Sequence, residues 1–348
     1  LFGRRCSVVR DFIRPYIRDL TPYSTARDEF TGAATIFLDA NENPYPSLVN
    51  RYPDPHQRAL KARIAEMKKV DAESIFLGNG SDEAIDLLVR VIDCAGGGIT
   101  ITSPTYGMYS VAAANNGVSI VDAPLRADFS LDIDAISSAS ERGSQLLFLC
   151  SPNNPTGRRY DLADVQRVLE VFAGIVVVDE AYIDFADVRS SLEILATNER
   201  LVVLQTFSKG WGMAGIRLGM AFAAPSIINA MNKLKLPYNV SEFTQRYALE
   251  RLREPERTRR EVAELRAERE RVARELQGLP GVERVFPSGG NFLLVRISDP
   301  RGVFEFLRSR GIIVRDRSRE RGCEGCVRIT IGREEENDLL LTAMREIL

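Results

Sequence analysis

The chain has 348 residues, of which 45% are hydrophobic and 27% charged, with a formal net charge of -2. That length suits two domains with separate cores, and the near-neutral balance offers no basic surface for nucleic acid. No apolar run is long enough to span a bilayer and no secretory leader is legible, so a cytoplasmic setting is expected.

Residues 1–45 have little periodicity and several prolines. They are expected to form an arm packing on a small C-terminal domain, with a large domain over 46–240 and the small one over 241–348. His56 is the single histidine, which argues against a His-rich metal centre or a Ser-His-Asp triad; no metal is expected. Ile75-Phe76-Leu77 is a short apolar run. Gly78-Asn79-Gly80-Ser81-Asp82-Glu83 then opens a helix marked by Ala84, Leu87, Leu88 and Val91 at helical spacing. The glycines permit a tight turn, and Ser81 or Asp82 can cap the helix. Exposed N–H groups at such a start suit either an ordinary cap or a phosphate.

Ile99-Thr100-Ile101, Val118–Val121, Leu146–Leu149, Ile175–Val178 and Leu201–Leu204 read as buried strands, with a patterned helix at Asp161–Phe172. The alternation predicts an α/β fold: a mostly parallel sheet covered by helices on both faces, with ligands beyond the carboxyl ends of the strands. Residues 242–277 are charged and helical with a break at Pro255. Their apolar stripe is Val262, Leu265, Val272 and Leu276, and Glu256–Arg260 and Glu270–Arg274 are candidate i,i+4 pairs. Strands at Phe292–Val295, Ile312–Val314 and Val327–Ile331, with helices at Gly302–Ser309 and Glu334–Ile347, predict a smaller α+β domain. Cys323-Glu324-Gly325-Cys326 lacks a second CxxC and reads as a loop entering a strand. The five scattered cysteines, an odd number, give no disulfide framework.

The chemistry concentrates in three segments. Asp179 ends an apolar run, Thr206-Phe207-Ser208-Lys209 ends another, and Arg217 comes eight positions after Lys209. A lysine shielded from water can condense with an aldehyde. Pyridoxal phosphate (PLP) needs such a lysine, a carboxylate on its ring nitrogen, and cationic or backbone donors on its phosphate. The chain supplies all three in order. In Ser151-Pro152-Asn153-Asn154-Pro155-Thr156-Gly157 an asparagine amide is placed either as a plain loop residue or as a donor to the ring oxygen, where Tyr182 can also reach. Tyr106 is either an interior tyrosine or a ring stacked on the pyridine.

Asn154-Pro155-Thr156-Gly157, then Asp179-Glu180-Ala181-Tyr182, then Ser208-Lys209 with Arg217 resembles the fold-type-I PLP-dependent aminotransferases. More narrowly, the chain resembles the histidinol-phosphate aminotransferase family, on Thr21-Pro22-Tyr23, Asp39-Ala40-Asn41-Glu42-Asn43-Pro44, Arg51-Tyr52-Pro53-Asp54, Gly80-Ser81-Asp82-Glu83, Gly311-Ile312-Ile313-Val314-Arg315-Asp316 and Val327-Arg328-Ile329-Thr330-Ile331-Gly332. Trp211 stands where that family commonly has a smaller aromatic residue. The resemblance implies amino-group exchange between histidinol phosphate and 2-oxoglutarate, yielding glutamate. Aromatic aminotransferases and phospho-amino-acid decarboxylases of the same fold are the alternatives. It also implies roles. Lys209 is the Schiff-base lysine and proton carrier, Asp179 the partner of the ring nitrogen, Asn154 and Tyr182 the partners of the ring oxygen, and Tyr106 the ring cover. Gly80, Ser81, Asp82, Thr206, Ser208 and Arg217 hold the cofactor phosphate, and Tyr52 reaches the phosphate of a neighbouring subunit in a homodimer. Tyr23, Arg315 and Arg328 hold the anionic end of the substrate.

Overall fold

Apolar runs without polar alternation demand burial on both faces. The structure, a computed structural model describing residues 9–25 and 35–348, places them inside a seven-stranded sheet. Its strands are β1 (Ile75–Asn79), β2 (Ile99–Ile101), β3 (Ile120–Asp122), β4 (Leu146–Cys150), β5 (Ile175–Asp179), β6 (Leu201–Thr206) and β7 (Leu218–Ala223), in spatial order β1-β7-β6-β5-β4-β2-β3. Strands β2 to β6 pair in parallel, whereas β7 lies antiparallel between β1 and β6. The expected mostly parallel sheet is therefore present. Strand β7 has no counterpart in the sequence reading, because Gly219, Ala221 and Ala223 dilute its apolar pattern.

Helices α1 (Pro15–Asp19), α2 (Arg58–Lys68), α3 (Ser81–Val91), α4 (Met108–Asn115), α5 (Ile133–Glu141), α6 (Leu162–Val171) and α7 (Pro225–Leu234) accompany this sheet. Alternate strand residues feed opposite layers. Leu147, Leu149, Val176 and Val178 pack with Leu60 of α2 and Val168 of α6, while Leu146, Phe148, Ile175 and Val177 pack with Leu88 of α3 and Met231 of α7. Each fully buried aliphatic side chain contributes about 1.5–3 kcal/mol. A one-residue slip would exchange the two layers, so the register is firmly set.

The N-terminal segment differs from expectation. Val9, Phe12, Ile13 and Ile17 join the layer containing α3 and α7 of the large sheet, and do not pack on the small C-terminal sheet. Arg14 N–H donates to Val91 O (3.0 Å), and Lys233 Nζ of α7 donates to Arg18 O (2.7 Å). The cause is the apolar outer side of α3, which needs a cover and finds it in these residues.

Helices α8 (Glu242–Arg251) and α9 (Pro255–Gln277) divide at Pro255, which occupies the first turn of α9. Beyond them come β8 (Val282–Phe286), β9 (Phe292–Ile297), α10 (Pro300–Ser309), β10 (Arg315–Asp316), β11 (Cys326–Thr330) and α11 (Glu334–Ile347). The second sheet is antiparallel, ordered β10-β11-β9-β8. Val272 and Leu276 of α9 close its core with Val295, Leu340 and Leu341. The strand expected at Ile312–Val314 forms later, at Arg315–Asp316, because Ile312 N–H still bonds to Leu307 O at the end of α10. On α9, Glu256 pairs with Arg259 and Glu270 with Arg269, in place of the arginines four positions on. Cys326 opens β11, and both Cys323 and Cys326 are buried in the core shared with Phe129 and Phe286, where burial pushes the Cys323 thiol up to about 12. No helix among the described residues is long and apolar enough to cross a membrane.

Candidate active site

The topology gathers distant segments at one edge of the large sheet. Strands β1, β5 and β6 end there, and β7, running the opposite way, begins there. Gly80, Asp179, Lys209 and Arg217 thereby meet in one cleft, lined also by Ser81, Asp82, Tyr106, Cys150, Ala181, Tyr182, Thr206 and Ser208.

One end of the cleft is built from free donors. Helix α3 starts at Ser81 with Gly80 (φ 76°) as its N-cap, and no side chain caps it. Neither Ser81 nor Asp82 takes the capping role that the sequence suggested. The first-turn N–H groups are left for an external acceptor, and the helix dipole favours an anion there. The Asp82 carboxylate instead accepts from Tyr106 Oη (3.0 Å) and from Arg217 Nη2 (3.4 Å), fixing both side chains at the cleft. A Cβ at Gly80 would stand 2.6 Å from Arg217 Nη2, and one at Gly219 would stand 2.1 Å from Ser81 N. Both glycines keep this cradle open. Thr206 Oγ1 donates to Ser208 Oγ (3.0 Å) and accepts from Ser208 N–H (3.1 Å), holding the turn that carries Lys209.

The other end presents a carboxylate and an amine. Asp179 is only 2% exposed, and burial pushes its pKa up to about 6; hydrogen bonds from Tyr109 Oη (2.7 Å) and Ala181 N–H (3.1 Å) oppose that rise. Lys209 opens to the cleft, with Nζ 5.7 Å from the Tyr182 ring centroid. Partial burial, then Arg328 and Arg217, lower its pKa, so more of the amine is neutral and nucleophilic. Asn154 Nδ2 donates to Tyr182 Oη (3.3 Å), and Arg328 Nη1 donates to Asn154 Oδ1 (2.6 Å). Arg328 is thus tied to the rim, and Arg315 sits opposite it across the β10–β11 pair.

Two of the expected residues lie elsewhere in the single chain. Tyr52 is half-exposed and stacks on Tyr238 (4.3 Å between centroids) in a surface hollow with Glu42 and Phe243. Tyr23 borders another hollow with His56 and Lys233. Sequence reasoning missed Tyr109 and the part played by the Asp82 side chain. The signal for Tyr109 was its spacing three residues after Tyr106, where the turn that leads into α4 brings Tyr109 N–H to Tyr106 O (3.4 Å).

An uncapped helix start, an arginine and two hydroxyls at one end, with a buried carboxylate and a lysine of lowered pKa at the other, fit a phosphorylated pyridine aldehyde. Fold and site together define a PLP-dependent aminotransferase of fold type I. Residues 39–344 match the family described as aminotransferase class I and II. The chain is 49% identical to the histidinol-phosphate aminotransferase of Parabacteroides distasonis over 341 residues, covering 97% of this chain and 99% of that one. It is also 49% identical to the enzyme of the same name from Cytophaga hutchinsonii, covering 96% and 97%. The crystal structure of histidinol-phosphate aminotransferase from Sinorhizobium meliloti in complex with pyridoxal-5'-phosphate superposes with a TM-score of 0.79 at 25% identity, covering 85% of this chain and 82% of that one. The chain belongs to the class I and II aminotransferases and, within them, to the histidinol-phosphate aminotransferase family.

Proposed function

We propose that the chain exchanges an amino group between L-histidinol phosphate and 2-oxoglutarate, giving imidazole acetol phosphate and L-glutamate, as a cytoplasmic step of histidine biosynthesis. Near-full-length identity to enzymes of that name supports the reaction. The structural observation that carries the substrate end is Arg328, half-buried at the rim and held by Asn154. When bound, PLP supplies a carbonyl that takes the amino group and a ring that draws electrons from the substrate carbon. Lys209 Nζ, with its lowered pKa, would take up the proton from that carbon and hold it for return during the exchange. Asp179 keeps the proton on the ring nitrogen. Tyr182 and Asn154 hold the ring oxygen, and Tyr106 covers the ring. Gly80, Ser81, Asp82, Thr206, Ser208 and Arg217 hold the phosphate. Arg328, with Arg315 and Tyr23, takes the substrate's anionic end; the paired donors of a guanidinium suit both a phosphate and the carboxylate of glutamate.

The test is steady-state kinetics with histidinol phosphate against phenylalanine, tyrosine and aspartate, each with 2-oxoglutarate. Histidinol phosphate is expected to have the highest kcat/KM, and preference for another donor would refute the assignment. Arg328→Ala should impair both half-reactions by about 10- to 150-fold in kcat/KM, the worth of one charge-assisted contact. Arg315→Ala should weaken histidinol phosphate more than glutamate, read from cofactor absorbance in single turnovers.

The active unit is a homodimer with shared sites. Leu38, Tyr45, Leu48, Tyr52, Leu236 and Phe243 are large side chains left exposed on two stretches of the chain that meet at the Tyr52–Tyr238 hollow, which favours a second copy as their cover. Tyr52 belongs to this surface, where it can reach a partner's cofactor. Mixing a Lys209→Ala chain with a Tyr52→Ala chain should therefore give activity above that of either chain alone, because the heterodimer site on the Tyr52→Ala chain keeps its own Lys209 and Arg217 and takes Tyr52 from the other chain. Heterodimers without that gain would show that each chain builds its site unaided.

A further inference from the structure

We infer that Tyr109 is a positioning residue: its hydroxyl sets the charge of Asp179 and, through it, the protonation of the bound cofactor ring. Tyr109 is fully buried on α4, and its ring stacks on Phe148 of β4 at 4.7 Å with 10° between planes. Tyr106 meets it edge-on at 5.6 Å. The ring therefore has no freedom to swing, and its Oη stands 2.7 Å from Asp179 Oδ2. Asp179 Oδ1 accepts from Ala181 N–H, so Tyr109 is the one side-chain donor given to this carboxylate among the described residues.

The other groups around Asp179 do not replace it. Asp82 and Glu180 repel its negative charge. Tyr106, Tyr182 and Cys150 keep their protons, since burial raises the pKa of each. Lys209 is a counter-charge that is lost once its amine turns neutral. A carboxylate in such a setting stays ionised in proportion to the hydrogen bonds it accepts. Tyr109 remains a donor at every working pH, because burial and Asp179 raise its own pKa.

This inference rests on the role proposed for Asp179, and the experiment separates the two. The holoenzyme's visible absorbance is titrated with pH in the parent, Tyr109→Phe, Asp179→Asn and the double variant. Loss of the Tyr109 hydroxyl raises the pKa of Asp179 and draws the ring proton toward the carboxylate. The ring then carries less positive charge, and a proton on the nitrogen joining Lys209 to the cofactor is repelled less. The spectral midpoint of Tyr109→Phe should move up by roughly one pH unit, and kcat should fall about tenfold, the scale of one hydrogen bond to a charged group. KM should change much less. 3,5-Difluorotyrosine at position 109 keeps the ring packing and donates more strongly, so its midpoint should move down. In the Asp179→Asn background, Tyr109→Phe should add no further shift. If Asp179→Asn leaves the midpoint in place, the role of Asp179 fails and this inference with it. If Asp179→Asn moves the midpoint while both position-109 variants match the parent, Tyr109 only fills space and the inference alone is overturned.

Discussion

Lys209→Ala is expected to bind PLP and yet turn over at least ~10³-fold more slowly, since it loses both the covalent attachment and a proton carrier of the kind worth 10²–10⁴ in rate. The phosphate cradle does not depend on the lysine. The uncapped start of α3, Thr206, Ser208 and Arg217 all remain, so cofactor should be retained on gel filtration at micromolar protein. Borohydride reduction and then peptide mapping should place the pyridoxyl group on Lys209 in the parent and on no residue in the variant. A small exogenous amine should restore part of the rate, because the cleft is open where Nζ stood. Labelling of another lysine in the parent would refute the assignment. Near-normal turnover by Lys209→Ala would do the same.

The reason the sequence could bring Lys209 and Asp179 to one cleft is that the context of each is local. Lys209 and Asp179 each lie just after a continuous apolar run, and parallel strands deliver the residues at their carboxyl ends to one edge. Strand β7 and the path of the N-terminal segment were not legible in the same way. Gly219 sits in β7 because Ser81 N would collide with a side chain there, and that requirement dilutes the very pattern that marks a strand. Phe12 and Ile17 pack where α3 needs cover, a tertiary demand that no local periodicity records. Asp82 shows a third limit. Its place in the first turn of a helix suggested a cap, but Tyr106 and Arg217, far away in the chain, claim its two oxygens. Local chemistry names the residue, whereas long-range partners decide its task.

Asp179→Asn should keep the cofactor and lose ~10²-fold or more in turnover, the cost of removing one preorganised electrostatic partner. Asparagine nearly matches the shape of aspartate, so its oxygen can still accept from Ala181 N–H while its amide nitrogen donates to Tyr109 Oη, which can also act as an acceptor. It lacks the charge, and a neutral amide does not hold a proton on the pyridine nitrogen, so the ring draws electrons less strongly. The pH dependence has its origin in the same group. Burial pushes Asp179 up to about 6, and a cationic ring nitrogen held beside it would work against that rise. The role proposed for Asp179 requires its ionised form, so the parent should lose activity as pH falls through a value at or below about 6. That acid limb should be missing from the variant, which has no carboxylate to protonate. Single-turnover absorbance with glutamate across pH 5–8 measures both effects at once. Parent-like rates in Asp179→Asn, or an acid limb that survives the substitution, would assign the proton on the ring nitrogen to some other group in the cleft.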